Sequence, residues 1–372
     1  MDNKRIICLC TTYFQLLTAI QMRRTLFSED RFTVVITDGS NGSEKICEKL
    51  KEMQIFDDVL YAKGTRENAA GFGSYKNKIS RYIQYFRKGP LTSYLKGRYD
   101  LFLAFNINWY SFILFNALQI DNHDIQAAKY EEGLVSYYAD EHRSDFAFFQ
   151  KIWKVKKVLR QPTIFQRLKS FYCFYPDFYE GKLLPVQIPS ISSDDKWFRE
   201  TLCSLFDIEA DKLSYDKKFI YFASMLDSEL LKGKSGEFDI VKDIVDVVGK
   251  DNFMVKLHPR EDNPQRYYDL GVAIDTNSNV PFEIIQLVRD FSDKIFITCL
   301  SGSVINFASI VPERTKTYFT YGMLPEKVEK IQASCAMYDK TIAKMTEVTG
   351  TEDFIVLESR EQMEEELESI EC

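Results

Sequence analysis

The sequence predicts an α/β protein of two domains, each built on a parallel sheet with helices on both faces, set opposite each other across a central cleft. Three observations carry that expectation. Short β-like runs alternate with helical patterns along most of the chain. The composition shifts at residues 184–193, where Pro185, Pro189, Ser190, Ser192 and Ser193 read as an interdomain connector. A chain of 372 residues is also long enough for two domains of ordinary size. The expected division is residues 1–184, a connector at 185–216, and residues 217–372.

Taken in order, residues 6–10 form a β-like run that leads into a helical pattern at 13–26, with Phe14, Leu17, Ile20 and Met22 available for burial. Cys8 and Cys10, two apart on that strand, share a face and read as buried apolar residues. A strand at 32–37, a helix at 43–53 and a strand at 59–62 follow, and the alternation continues through 99–105, 109–118 and 125–130. The Tyr-, Phe-, Lys- and Arg-rich stretches 75–88 and 147–171 read as helical. Past the connector, strands are expected at 219–223, 253–257 and 294–300. Residues 281–291 form an amphipathic helix between the last two, with Phe282, Ile285, Leu287, Val288 and Phe291 mostly on one side. A strand at 354–357 and an exposed helix at 360–370 close the chain.

Composition bounds the function. Hydrophobic residues make up 45% and charged residues 28%, which is globular rather than disordered. No apolar run approaches the roughly 20 residues that span a bilayer. Residues 6–20 come nearest, but Thr11, Thr12, Gln15 and Thr18 interrupt them and no small-residue cleavage site follows, so a cytoplasmic protein is expected. The eight scattered cysteines fit reduced thiols. Without HExxH, P-loop or GxGxxG patterns, metalloprotease, Walker-type NTPase and NAD-dependent readings lose their main support.

The net charge of −7 hides an asymmetry. Residues 146–176 carry no acid but include Lys151, Lys154, Lys156, Lys157, Arg160, Arg167 and Lys169; residues 71–99 are likewise acid-free and basic. An anionic partner is the implication. Interleaved aromatic residues would suit peripheral contact with an anionic membrane leaflet, and a solvated surface helix fits as well. Nucleic acid is not expected, since no RNP, helix-turn-helix or zinc pattern accompanies the charge.

Four constellations could carry chemistry. His258-Pro259 ends the 253–257 strand, because proline disfavours helical geometry in the residue before it. That displays an imidazole at a strand's carboxyl end beside Lys256 and Arg260: either a donor to an anionic oxygen or a histidine bonded to its own loop. Ser301-Gly302-Ser303 opens a helical pattern, where free N–H groups, hydroxyls and the helix dipole make either an anion site or an ordinary cap. Glu131-Glu132-Gly133 follows the 125–130 strand and could hold or deprotonate a hydroxyl, or be a solvated turn. Asp227, just past the 219–223 strand, reads on its own as a helix N-cap.

In that order, the acidic-acidic-glycine, His-Pro and late serine motifs resemble those of bacterial sialyltransferases, across nearly the whole chain. Within these, the chain looks most like glycosyltransferase family 52, the lipooligosaccharide and capsule sialyltransferases. Cys10-Thr11-Thr12-Tyr13-Phe14-Gln15 is similar to that family's Cys-x-Thr-x-x-Gln turn, with looser spacing. The resemblance implies a GT-B-like fold of two Rossmann-like domains, CMP-sialic acid as donor, inversion at the anomeric carbon, and no metal or cofactor. The acceptor implied is a galactose-terminated surface glycan, and a homodimer is a further implied partner state. By the same resemblance His258 assists departure of the CMP phosphate. Ser301, Gly302 and Ser303, with Lys256, Pro259 and Arg260, hold the donor. Asp227 matches the family's general base, while other sialyltransferases take the base from the position of Glu131 or Glu132. Glutamates stand here where aspartates are common, which leaves the base open among the three.

Overall fold

The computed structural model describes residues 3–63, 83–133, 135–138, 154–158, 161–192, 194–224, 226, 235–258, 261, 263–275, 280–310, 315–325, 329–350 and 352–370. The chain divides into two compact units, Met1–Ser190 and Ile191–Cys372. Each is a Rossmann-like unit on one parallel sheet.

The first unit holds a seven-stranded sheet in the order β3-β2-β1-β4-β5-β6-β7. Its strands are β1 (Arg5–Cys10), β2 (Arg31–Thr37), β3 (Asp58–Ala62), β4 (Leu101–Ala104), β5 (Gln126–Tyr130), β6 (Leu168–Cys173) and β7 (Leu184–Gln187). Every neighbouring pair is parallel. Parallel pairing buries both faces, which is why β1 and β2 read as runs of apolar residues rather than alternating ones. The helix Tyr13–Arg24 starts at Thr12, whose hydroxyl caps the Gln15 N–H. In helix Ser43–Met53 only one stripe, Ile46, Cys47 and Leu50, faces the core. Helix Trp109–Asp121 is buried nearly all round and anchors a cluster with Ile7, Leu9, Phe102 and Ala127. As expected for one strand face, Cys8 and Cys10 are both buried, their sulfurs 4.0 Å apart.

The second unit holds six strands in the order β10-β9-β8-β11-β12-β13. They are β8 (Phe219–Phe222), β9 (Phe253–Lys256), β10 (Ala273–Ile274), β11 (Ile295–Thr298), β12 (Thr317–Phe319) and β13 (Phe354–Val356). Again every pairing is parallel. Beneath its centre Phe222, Phe282 and Phe296 pack as a triad, with centroid separations of 4.4, 5.1 and 5.4 Å.

Three expectations change. The 147–171 stretch is not helical to its end, because β6 begins at Leu168. Leu168, Phe171 and Cys173 turn inward there, and the basic residues nearby had masked a β-like pattern. The proline-bearing 184–187 piece of the connector is strand β7, whose one neighbour is β6; proline is tolerated at such a sheet edge. Lys156, counted among the solvent-facing basic residues, is fully buried, its Nζ 2.5 Å from Asn116 Oδ1. Among the described residues no helix is long and apolar enough to cross a membrane.

Candidate active site

In both units the chain leaves a central strand, builds outward on one side, then returns to the other side of that strand. The reversal falls between β1 and β4 in the first unit and between β8 and β11 in the second. Loops diverge at such a point, which opens a crevice outside the carboxyl ends of the strands.

In the second unit Lys256, Phe222 and Thr298 stand in register across β9, β8 and β11. His258 lies two residues past that rung on one side of β8, and Ser301 three residues past it on the other. The histidine and the serine turn therefore leave the same end of the same sheet, on strands flanking β8. A hydrogen-bond chain ties together the loops that leave this end of the sheet. Thr298 Oγ1 donates to Phe222 O at 2.9 Å and accepts from Ser301 N–H at 3.0 Å. Leu300 N–H donates to Ser224 Oγ at 2.8 Å, tying the loop after β11 to the loop after β8. Ser224 N–H in turn donates to Glu237 Oε1 at 2.8 Å, and Tyr221 O–H donates to the same oxygen at 2.9 Å. Glu237 is wholly buried.

His258 is partly exposed, and its carbonyl accepts the Glu261 N–H at 2.9 Å, closing a turn around it. Gly302 opens the helix Gly302–Ile310, with Ser301, Gly302 and Ser303 all partly exposed. A methyl group on Gly302 would meet Asn306 Nδ2 at 3.4 Å and Tyr338 Oη at 3.8 Å, ordinary contact distances, and Gly302 is not among the glycines with left-handed backbone. Lys256 is largely spent within the protein: its Nζ pairs with Asp275 Oδ2 at 2.5 Å and lies 5.8 Å over the Phe282 ring. Beside them Glu283, in the first turn of helix Phe282–Val288, is pushed up from the usual carboxylate range by burial, against the Asn306 side-chain hydrogen bond and the Lys256 charge. Pro259, Arg260 and Asp227 lie outside the described residues.

The first unit separates the two adjacent glutamates. Glu131 is fully buried; Tyr137 O–H donates to its Oε2, as does Phe174 N–H at 2.9 Å. Glu132 is partly exposed. Thr12 O–H donates to its Oε1 at 3.2 Å and Gln15 Nε2 donates to the same oxygen, so β5's end meets the turn after β1. Burial lifts Glu132 from 4.5 to about 7, while the Gln15 and Thr12 bonds pull the other way. A carboxyl poised there can accept a proton near neutral pH. Gly133 follows in the left-handed region at φ 79°, so the turn needs its glycine for backbone reasons.

Sequence reasoning thus named Glu131, Glu132, His258 and the serine turn, and missed Ser224, Glu237, Glu283 and Asn306. A serine beyond a strand and acids in a helix's first turn look like ordinary solvated residues, and no local signal marks them as buried links. Thr12 and Gln15 did carry a signal, the Thr-x-x-Gln spacing of a capping box.

A family model described as alpha-2,8-polysialyltransferase (POLYST) matches residues 6–320. No curated protein sequence matches the chain. Among solved structures, the S. aureus MnaA–UDP co-structure aligns over 98% of this chain and 91% of its own at 13% identity, with a TM-score of 0.49. MurG of Acinetobacter baumannii aligns over 97% and 89% at 12% identity and a TM-score of 0.44. A putative UDP-N-acetylglucosamine 2-epimerase from Listeria monocytogenes aligns over 96% and 100% at 11% identity and a TM-score of 0.42.

Proposed function

The chain belongs to the alpha-2,8-polysialyltransferase family, and from that premise we propose that it transfers sialic acid from CMP-sialic acid to a glycan hydroxyl, with inversion and without a metal. The family match carries the reading, because residues 6–320 contain Glu132, His258 and the serine turn. The likeness to family 52 rests on the short motifs alone.

Chemistry assigns the roles. The donor presents one carboxylate and one phosphodiester, and CMP leaves as a monophosphate. The N–H groups opening helix Gly302–Ile310, with the Ser301 and Ser303 hydroxyls, suit that phosphate. His258, at the same sheet end, shares a proton with the departing oxygen; Pro259 and Arg260 follow it in the sequence. Lys256 acts through its pair with Asp275, setting the field rather than touching phosphate. A base takes the acceptor proton as an oxocarbenium-like centre forms. Glu132 fits that task better than Glu131, whose carboxylate is enclosed by Tyr137 and Phe174. Asp227 is the competing base from the sequence pattern.

Two acceptors are in view: a galactose-terminated glycan, from the motif resemblance, and a glycan already ending in sialic acid, which the family's description favours. The test is incubation with CMP-sialic acid, lactose or sialyllactose, and EDTA. Transfer to at least one sugar with stoichiometric CMP release is expected, and a ladder on sialyllactose selects the second acceptor. No transfer from CMP-sialic acid but turnover with a UDP- or GDP-sugar would replace the donor. Loss in EDTA restored by a divalent ion would overturn the metal-free step.

A further inference from the structure

Gln15 is wholly buried and sits between a backbone turn and Glu132. Its Oε1 accepts from Thr11 N–H at 2.6 Å and, more weakly, from Thr12 N–H at 3.4 Å. Its Nε2 reaches the other way, donating to Glu132 Oε1. A capping box explains only the first half. Glutamate at this position completes the same box, taking the N-cap N–H with a carboxylate oxygen. An ionised glutamate could cap the helix but not donate onward to a carboxylate, whereas the glutamine amide does both. Gln15 is therefore chosen for what it faces, 117 residues away in sequence.

The bonds from Gln15 and Thr12 both end on Oε1 of Glu132. With both bonds on one oxygen, Oε2 is, among the described residues, the atom left to meet a substrate hydroxyl. We propose that Gln15 is a positioning residue for the base, orienting Glu132 through Oε1 and favouring its ionised form in a buried turn. This rests on the reading of Glu132 as the base. Among the described residues the ionisable groups around the turn include Tyr130, Cys8 and Cys10 from the strands beneath, with Glu131 and Tyr137 behind. Tyr130 O–H donates to Leu9 O at 2.5 Å, and burial pushes both phenols up, so they stay neutral while Glu132 titrates.

The test is the pH dependence of kcat for wild type, Gln15→Glu and Gln15→Ala, beside Glu132→Gln. Wild type should lose rate as the pH falls through about 7. Gln15→Glu keeps the helix cap but sets a carboxylate against Glu132, so its acid limb should move up by on the order of one pH unit, with most of the rate recovered in alkali. Gln15→Ala should show a similar shift with a lower plateau, while CMP binding stays at the wild-type level in both. An acid limb left in place in both variants, or a loss uniform across pH that tracks lowered melting temperature, overturns the positioning role. Activity retained by Glu132→Gln instead overturns the base itself, so the two failures are distinguishable.

Discussion

Two neighbouring carboxylates show how far one residue step changes a side chain's work. Glu131 points into the unit and takes Tyr137 O–H and Phe174 N–H; Glu132 points toward the turn after β1 and is lifted to about 7. Their effects on stability should have opposite signs. Between pH 4.5 and 7 the folded chain holds a proton on Glu132 that the unfolded chain has released, so stability falls as pH rises through that window. Above it the ionised, largely enclosed carboxylate costs the fold on the order of 3 kcal/mol. Glu132→Gln should therefore raise the melting temperature at pH 8 while abolishing transfer. Glu131→Ala should lower it, at a cost of about 2 kcal/mol or more in unfolding free energy, because buried donors lose their acceptor. Melting curves at pH 5 and 8 with transfer rates check this. A Glu132→Gln protein no more stable than wild type at pH 8 would show that the carboxyl titrates in the ordinary range. The motif was legible as an acidic turn, but which glutamate faces inward depends on β6 and Tyr137, and no local pattern contains that.

At the scale of the element, most strands could be read from their apolar runs and the longer helices from periodicity, while β7, β10 and β12 could not. Strands β1 and β2 run for six and seven residues and helix Ser43–Met53 for eleven, long enough for an apolar run in the strands and a period in the helix to declare itself. Strands β10, β12 and β7 span two, three and four residues, and only their pairing defines them. The serine turn shows what the structure adds. Gly133 has a backbone reason to be glycine, whereas Gly302 has neither left-handed geometry nor a steric one. On the proposed reading, its missing side chain leaves room for a phosphate to come close. Gly302→Ala should leave the melting temperature unchanged or slightly raised, since alanine is the better helix former. The same variant should weaken CMP binding and transfer at least several-fold, read by titration and by KM against kcat. Unchanged binding with unchanged stability would remove the phosphate from this helix start.

The molecule as a whole repeats one device. Each unit winds outward from a central strand and returns on its other side, and each reversal gathers one of the two motif groups. Glu132 lies near the first, and His258 with Ser301–Ser303 near the second. Alternation of strand and helix made the parallel sheets legible, but not the order of strands, which is set by crossovers between residues far apart in sequence. With a sheet of its own in each, the units should unfold in separable steps rather than as one cooperative block. Calorimetry on the full chain should then resolve two transitions. CMP at about 100 times its Kd should add roughly 2.7 kcal/mol to the one belonging to Ile191–Cys372 and leave the other in place. Glu132→Gln serves as the marker for the first unit and should move only the transition that CMP does not. If CMP and the substitution shift the same transition, the nucleotide belongs with Glu132 and the donor site assigned to His258 and the serine turn is wrong.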